Sequence, residues 1–192
     1  RKLDKKVKRT RNRPLAANLI STKKAFLYVV VLCGLAFCIL IQFNFLTIAL
    51  GLASMSLAFT YPFMKRITYW PQLFLGLTFN WGIIMAWASI NNYITFDIFI
   101  IYLAAIFWTL GYDTIYGAQD IVDDEIIGVK STSIKFKFML KKFVLLCYSI
   151  SLLILLIYFY VNMNSFYFLI PMSAFSLTLL YQIFIFNKKK PK

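Results

Sequence analysis

The chain holds seven acidic residues in 192, and five of them crowd into one short tract: Asp113, Asp120, Asp123, Asp124 and Glu125. If that tract continues a single helix, a turn of about 100° per residue brings Asp113, Asp120 and Asp124 within roughly 40° of one another. Asp120 and Asp124 then form a D-x-x-x-D pair on one face, with Asp123 pointing about 100° away from Asp124. Like charges on one face repel, so the cluster is costly unless a cation sits on it. Oxygen-only ligands suit a hard ion such as Mg2+, which uses one or two carboxylates and completes its shell with water and substrate phosphate. A solvated acidic loop is the competing reading. The run of Lys130, Lys135, Lys137, Lys141 and Lys142 that follows favours metal or phosphate work.

Two further constellations carry chemistry. Residues 1–15 place eight Lys and Arg around the single Asp4. They read either as a polybasic stretch for lipid headgroups or as cations for a polyanionic substrate. In the segment Tyr61-Pro62-Phe63-Met64-Lys65-Arg66, Tyr61 and Lys65 are four apart and share a helix face. A lysine snorkelling from a helix end is the plainer explanation, and contact with substrate the sharper one. Asn80 and Trp81 fall in the middle of an uncharged run. An amide there faces a helix bundle or a cavity rather than lipid.

These groups need a scaffold, and the composition says which kind. Hydrophobic residues make up 61% of the chain and charged residues 15%, against about a quarter charged in soluble domains. A water-soluble globule of this size lacks the polar surface it needs, and disorder requires low hydrophobicity. An integral membrane protein remains. With no histidine, triads that use a His base and His-ligated metals are excluded. Cys33, Cys38 and Cys147 all lie in apolar runs without a CxxC pair, so they read as buried free thiols. The first residue is Arg rather than Met, which points to processing or to a piece of a longer protein. No secretory signal pattern is visible.

Three long apolar runs, each broken near its middle by polar residues such as Gln42 and Asn44, Asn91 and Asn92, or Asn162 and Ser165, predict three helical hairpins. The fold class is all-α: a polytopic bundle of six spans, at about 25–42, 45–64, 73–90, 97–116, 143–161 and 166–186, each near the roughly 20 residues a membrane crossing needs. All 21 Lys and Arg fall in residues 1–24, 65–66, 130–142 and 188–192, which are alternate connections. Six spans put these segments on one side, and the positive-inside rule makes that side cytoplasmic. A bacterial inner membrane is the expected location, and the mitochondrial inner membrane fits the same pattern. The net charge of +14 follows from this topology and from anionic lipid as a partner; a nucleic-acid partner is not required. No Gly/Ser/Pro linker divides the chain, so residues 1–192 read as one domain.

Taken together, the three constellations resemble the UbiA superfamily of intramembrane aromatic prenyltransferases. The tract Tyr112-Asp113-Thr114-Ile115-Tyr116-Gly117-Ala118-Gln119-Asp120-Ile121-Val122-Asp123-Asp124-Glu125, followed by Ile127-Gly128-Val129-Lys130-Ser131-Thr132, is similar to that family's second aspartate-rich motif. Asp4 through Arg9-Thr10-Arg11-Asn12-Arg13-Pro14-Leu15 looks like the end of its first, N-D-x-x-D-x-x-x-D with a trailing V-x-R-T-x-x-R-P-L. Tyr61-x-x-x-Lys65 is similar to its Y-x-x-x-K element. The region 112–132 looks most like the branch that prenylates 4-hydroxybenzoate for ubiquinone, and lacks the histidines of a haem-farnesylating relative. The earlier residues of the first motif, and two upstream helices, would precede residue 1, and a last helix downstream stays open. The chain therefore reads as a fragment.

The resemblance implies a Mg2+-dependent transfer from a polyprenyl diphosphate to a small aromatic acid. Asp4, Asp120, Asp123 and Asp124 would face the metal. Asp120, Asp124 and Lys65 would carry catalysis. Arg9, Arg13, Tyr61, Lys65, Asn80, Asp113 and Lys130 would contact substrate, and Tyr61, Trp81 or Tyr116 would face the allylic cation. A membrane transporter is the alternative from a different class, and the clustering of acids at one end of the spans argues against an ion path across the bilayer.

Overall fold

The computed structural model describes residue 5, residues 7–163 and residues 165–186. Its regular elements are helical: α1 (Thr22–Leu40), α2 (Phe45–Ile67), α3 (Pro71–Asn91), α4 (Phe96–Gly117), α5 (Ile121–Ile127), α6 (Thr132–Lys135), α7 (Leu140–Asn162) and α8 (Leu169–Ile185). Among the described residues, six segments are long and apolar enough to cross a membrane, and they coincide with the six expected spans to within a few residues at most ends. Residues 166–168 form a 3-10 turn ahead of α8, so the last helix starts three residues later than the expected span.

The polar breaks work as caps. Asn44 accepts from the Thr47 N–H at 2.9 Å as the N-cap of α2. The same side chain donates to the Ala88 carbonyl at 2.7 Å and to the Ser89 carbonyl at 3.2 Å, tying the first hairpin tip to the end of α3. Asn92 takes the left-handed conformation that ends α3, with φ 60°, a conformation asparagine tolerates better than most residues. Pro71 opens α3 at its first turn, where its missing N–H costs nothing.

α4 is the axis of the bundle. It packs on α3 along one side and on α7 along another; α2 lies against α3, and α8 against α7. Lipid is as apolar as the side chains, so helix association here depends on close packing and hydrogen bonds more than on the hydrophobic effect. Small residues at the contacts supply the first. Gly111 of α4 lies under the Tyr148 ring of α7, where any Cβ would clash. A Cβ at Gly76 of α3 would stand 3.2 Å from Ile106 of α4. Polar bridges supply the second: Tyr102 donates to the Leu77 carbonyl at 2.7 Å, Trp81 Nε1 to the Leu50 carbonyl at 3.0 Å, and Tyr148 to Gln182 Oε1 at 2.9 Å. Cys147 is buried as expected, whereas Cys33 and Cys38 are exposed on α1; no residue of α1 is buried.

One local feature departs from the continuous helix expected after Asp113. Residues 118–120 form a 3-10 turn between α4 and α5. A 3-10 turn advances about 120° per residue rather than 100°, so three residues overwind the tract by roughly 60°. Asp113 and Asp124, about 20° apart on an unbroken helix, come to lie roughly 80° apart. Asp120 and Asp124 keep their mutual register.

Candidate active site

The basic end of the bundle is organised by two polar assemblies. The first is sealed. Thr132 N–H donates to Gln72 Oε1 at 2.9 Å, the Thr114 and Thr132 hydroxyls lie 2.7 Å apart, and Ser133 Oγ donates to the Thr114 carbonyl at 2.7 Å. Gln72, Thr114, Thr132 and Ser133 are all buried. Ser131 caps α6 by accepting from the Ile134 N–H. Gly117 closes the assembly, since a Cβ there would sit 2.6 Å from Ser133 Oγ. These contacts lock the loop after α5 to α3 and α4, and so fix where α5 points.

The second assembly is open. A cavity of about 190 Å3 lies between the N-terminal segment, the end of α2 and the start of α5. Arg9, Arg13, Lys65, Arg66, Asp120 and Asp124 bring their charges to its wall, with Thr10 and Pro62 among its other lining residues. Val7, Thr10 and Ala16 are buried and anchor an otherwise irregular run of turns. Arg9 reaches across more than a hundred residues of sequence. Its Nε lies 3.0 Å from Asp120 Oδ1, its Nη2 2.6 Å from Asp120 Oδ2, and its Nη1 donates to the Tyr116 hydroxyl at 2.5 Å. The guanidinium carbon stands 4.7 Å from the Tyr116 ring centre. The Asp120 hydrogen bond holds Arg9 above its ordinary pKa, so it stays charged. The Lys8 N–H donates to Asp123 Oδ2 at 2.8 Å. Asp123, expected among the metal-facing carboxylates, is turned instead to the N-terminal segment and does not line the cavity, its offset from Asp124 pointing it away.

The remaining residues singled out from the sequence are dispersed. Asp113 is half-buried, within electrostatic reach of Lys65 and Arg9, and the overwound turn keeps it off the cavity wall. Tyr61 is half-buried near Tyr112 and Asp113. Asn80 is a helix tie: its Nδ2 donates to the Gly76 carbonyl at 2.8 Å, the Ala105 carbonyl at 3.2 Å and Thr109 Oγ1 at 2.7 Å. Trp81, bonded to Leu50 and edge-on to Tyr102, has the same packing role. Lys130 is a cap. Its N–H donates to the Lys65 carbonyl at 2.8 Å and its Nζ to the Ile67 carbonyl at 3.1 Å, closing the end of α2. Asp4 lies outside the described residues.

Among the described residues no three acidic or cysteine side chains gather as a ready metal cage. Two carboxylates on one cavity wall, with oxygen donors only, still fit the demand of Mg2+ for one or two protein ligands and a shell completed by phosphate and water. Asp120 and Asp124 are that pair. Sequence reasoning missed Gln72, Thr114 and Ser133 altogether. The only hint was the uncharged polar residues themselves, at Gln72 and in Ser131-Thr132-Ser133.

The sequence pattern of the UbiA prenyltransferase family matches residues 1–192. The chain belongs to the UbiA prenyltransferase family. Relatives of this UbiA chain include the mitochondrial 4-hydroxybenzoate polyprenyltransferase of Bos taurus, 49% identical over 138 residues, which are 71% of this chain and 37% of the relative. The protein of the same name in Homo sapiens is 49% identical over 134 residues, 69% of this chain and 36% of the relative. The 4-hydroxybenzoate octaprenyltransferase of Pseudomonas fluorescens is 46% identical over 136 residues, 71% of this chain and 46% of the relative. The aligned regions thus span between about a third and a half of these relatives. The fold is that of the apo structure of a UbiA homolog from Aeropyrum pernix K1, with a TM-score of 0.82, 20% identity, and coverage of 95% of this chain and 70% of that one.

Proposed function

We propose that the full-length protein transfers a polyprenyl group from polyprenyl diphosphate to 4-hydroxybenzoate. The observation that carries this is the cavity in which Asp120 and Asp124 face Arg13, Lys65 and Arg66, a wall with carboxylates for a metal and cations for a diphosphate. Mg2+ bound by Asp120 and Asp124 would neutralise diphosphate charge and make it a better leaving group. Asp4 precedes this wall in sequence and would add a further carboxylate.

The chain's own residues then act in order. Lys65 and Arg13 hold the diphosphate and stabilise the charge that grows on its bridging oxygen as the bond to the prenyl C1 breaks and the electron pair leaves with the oxygen. Arg9, clamped by Asp120 and braced by Tyr116, keeps the wall in shape and adds a donor beside it. Tyr116 also lines a mostly apolar pocket of about 360 Å3 between α4 and α8, whose lining suits a prenyl chain. The ring carbon ortho to the acceptor hydroxyl attacks the allylic cation, and the released diphosphate takes that carbon's proton as the ring regains its aromaticity. Arg66 is a cation on the same wall that suits the acceptor's carboxylate.

The described basic residues lie on one side of the membrane in this reading, the cytoplasmic side of a bacterial inner membrane. The named relatives include mitochondrial and bacterial proteins. Membranes holding the full-length protein, Mg2+ and a polyprenyl diphosphate should convert radiolabelled 4-hydroxybenzoate into a lipid-extractable product, and chelation of the metal should stop it. Turnover with another ring alone would keep the reaction and discard the acceptor. No diphosphate release with any acceptor would discard the enzyme.

A further inference from the structure

The basic rim where α7 begins and α8 ends is not used by the proposed reaction. A cavity of about 330 Å3 opens there among Lys137, Phe138, Met139, Lys141, Lys142 and Phe186. We infer that it seats one anionic phospholipid, the phosphate between Lys141 and Lys142 and the upper acyl chain against Phe138 and Met139.

Two independent features meet at this place. The first is apolar exposure: Phe138 is 94% exposed and Met139 58%, on a rim that borders the bilayer. A phenyl ring and a thioether chain have no polar group to keep in water, so their exposure here favours cover by an acyl chain. The second is uncompensated charge. Residues 135–142 carry four lysines. Lys137 is paired with Glu125 at 2.7 Å, and Lys135 lies 4.5 Å from the Trp70 ring centre. Lys141 and Lys142 are exposed in the first turn of α7 and have no ion-pair partner among the described residues. Four more lysines follow Phe186 in the sequence. A soluble anion would use the lysines and leave Phe138 and Met139 in water; a neutral lipid would cover the aromatic and leave the charge unmatched. An anionic phospholipid satisfies both halves, and each Lys near an anionic surface contributes measurably to its attraction.

The test uses the full-length protein in mixed micelles containing equal amounts of phosphatidylglycerol and phosphatidylcholine with matched acyl chains. Native mass spectrometry counts the lipid that stays bound. The wild type should retain phosphatidylglycerol preferentially. The double variant Lys141→Gln/Lys142→Gln should lower the ratio of the two lipids by about thirtyfold. Phe138→Ser, with the charges intact, should weaken phosphatidylglycerol retention severalfold, and serves as the second reading if the double variant does not fold. Lys23→Gln/Lys24→Gln, an exposed basic pair at the start of α1, should change the ratio by less than about twofold. Equal retention of both lipids by the wild type would overturn the inference. So would an unchanged ratio in the double variant, or an equal loss in the α1 pair, which would make the attraction diffuse. Binding of inorganic phosphate in lipid-free detergent with the same lysine dependence would discard the lipid.

Discussion

The tract from Asp113 to Ser133 feeds two polar assemblies that differ in almost every physical respect. In the sealed one, neutral groups on Gln72, Thr114, Thr132 and Ser133 satisfy one another with no room left over. In the open one, charges on Arg9, Arg13, Lys65, Asp120 and Asp124 line a cavity. Within a bundle, an unsatisfied neutral group costs about 1–3 kcal/mol and an uncompensated charge far more. Neutral polar groups are therefore buried as satisfied partners that hold a scaffold, while the buried carboxylates Asp120 and Asp124 need the cations and the cavity beside them. One tract contributes residues to both, so the assembly that binds is held by the one that does not.

That division predicts variants of two kinds. The largest effect belongs to the open assembly: Asp120→Ala and Asp124→Ala should each lower prenyl transfer by a hundredfold to a thousandfold or more in the full-length protein, with the apparent Tm in detergent little changed. Near-normal turnover of Asp120→Ala at saturating Mg2+ would remove its role in metal binding. The sealed assembly should fail the other way. Gly117→Ala drives a Cβ into Ser133 Oγ and should cost about 1–3 kcal/mol of stability, read as a lower Tm in a thermal melt. Thr132→Val should cost a similar amount. If either variant lost turnover at an unchanged Tm, the two assemblies would not be separable.

Lys130 sits on the border between them. Lys130→Gln removes the cap on the Ile67 carbonyl, and KM for the diphosphate should rise by about two- to fivefold with kcat nearly kept. Lys130→Arg should restore it. A large fall in kcat would instead mean that Lys130 touches the reacting groups. The smallest effect is at the end of α4 far from both assemblies. Asp97 lies in the first turn of α4, where a carboxylate complements the helix dipole. Asp97→Ala should leave activity within about twofold of wild type.

The spans were legible because forty-residue uncharged runs and an even-numbered pattern of basic loops leave little freedom. Asn44 and Asn92 mark hairpin tips for a local reason, as capping residues. The open assembly was largely legible too, since Asp120 and Asp124 are one helical turn apart and Lys65 ends a span. Two things were not. Nothing in Gly117-Ala118-Gln119-Asp120 announces a 3-10 turn, so Asp113 was expected on the same face and is displaced from it. The other omission is long-range pairing. Gln72 meets Thr132 across 60 residues, and Asn80 finds Thr109 across 29. A single sequence shows that such polar groups must be satisfied, but not by which partner, and so Asn80 and Lys130 were read as facing substrate.

The backbone bond from the Lys130 N–H to the Lys65 carbonyl also bears on timescales. It joins the last turn of α2 to the loop that follows α5, so neither segment can swing away from the other without breaking it. Hydrogen exchange should register this as a shared protection factor: the Lys130 amide and the Met64 to Ile67 turn should open as one cooperative unit.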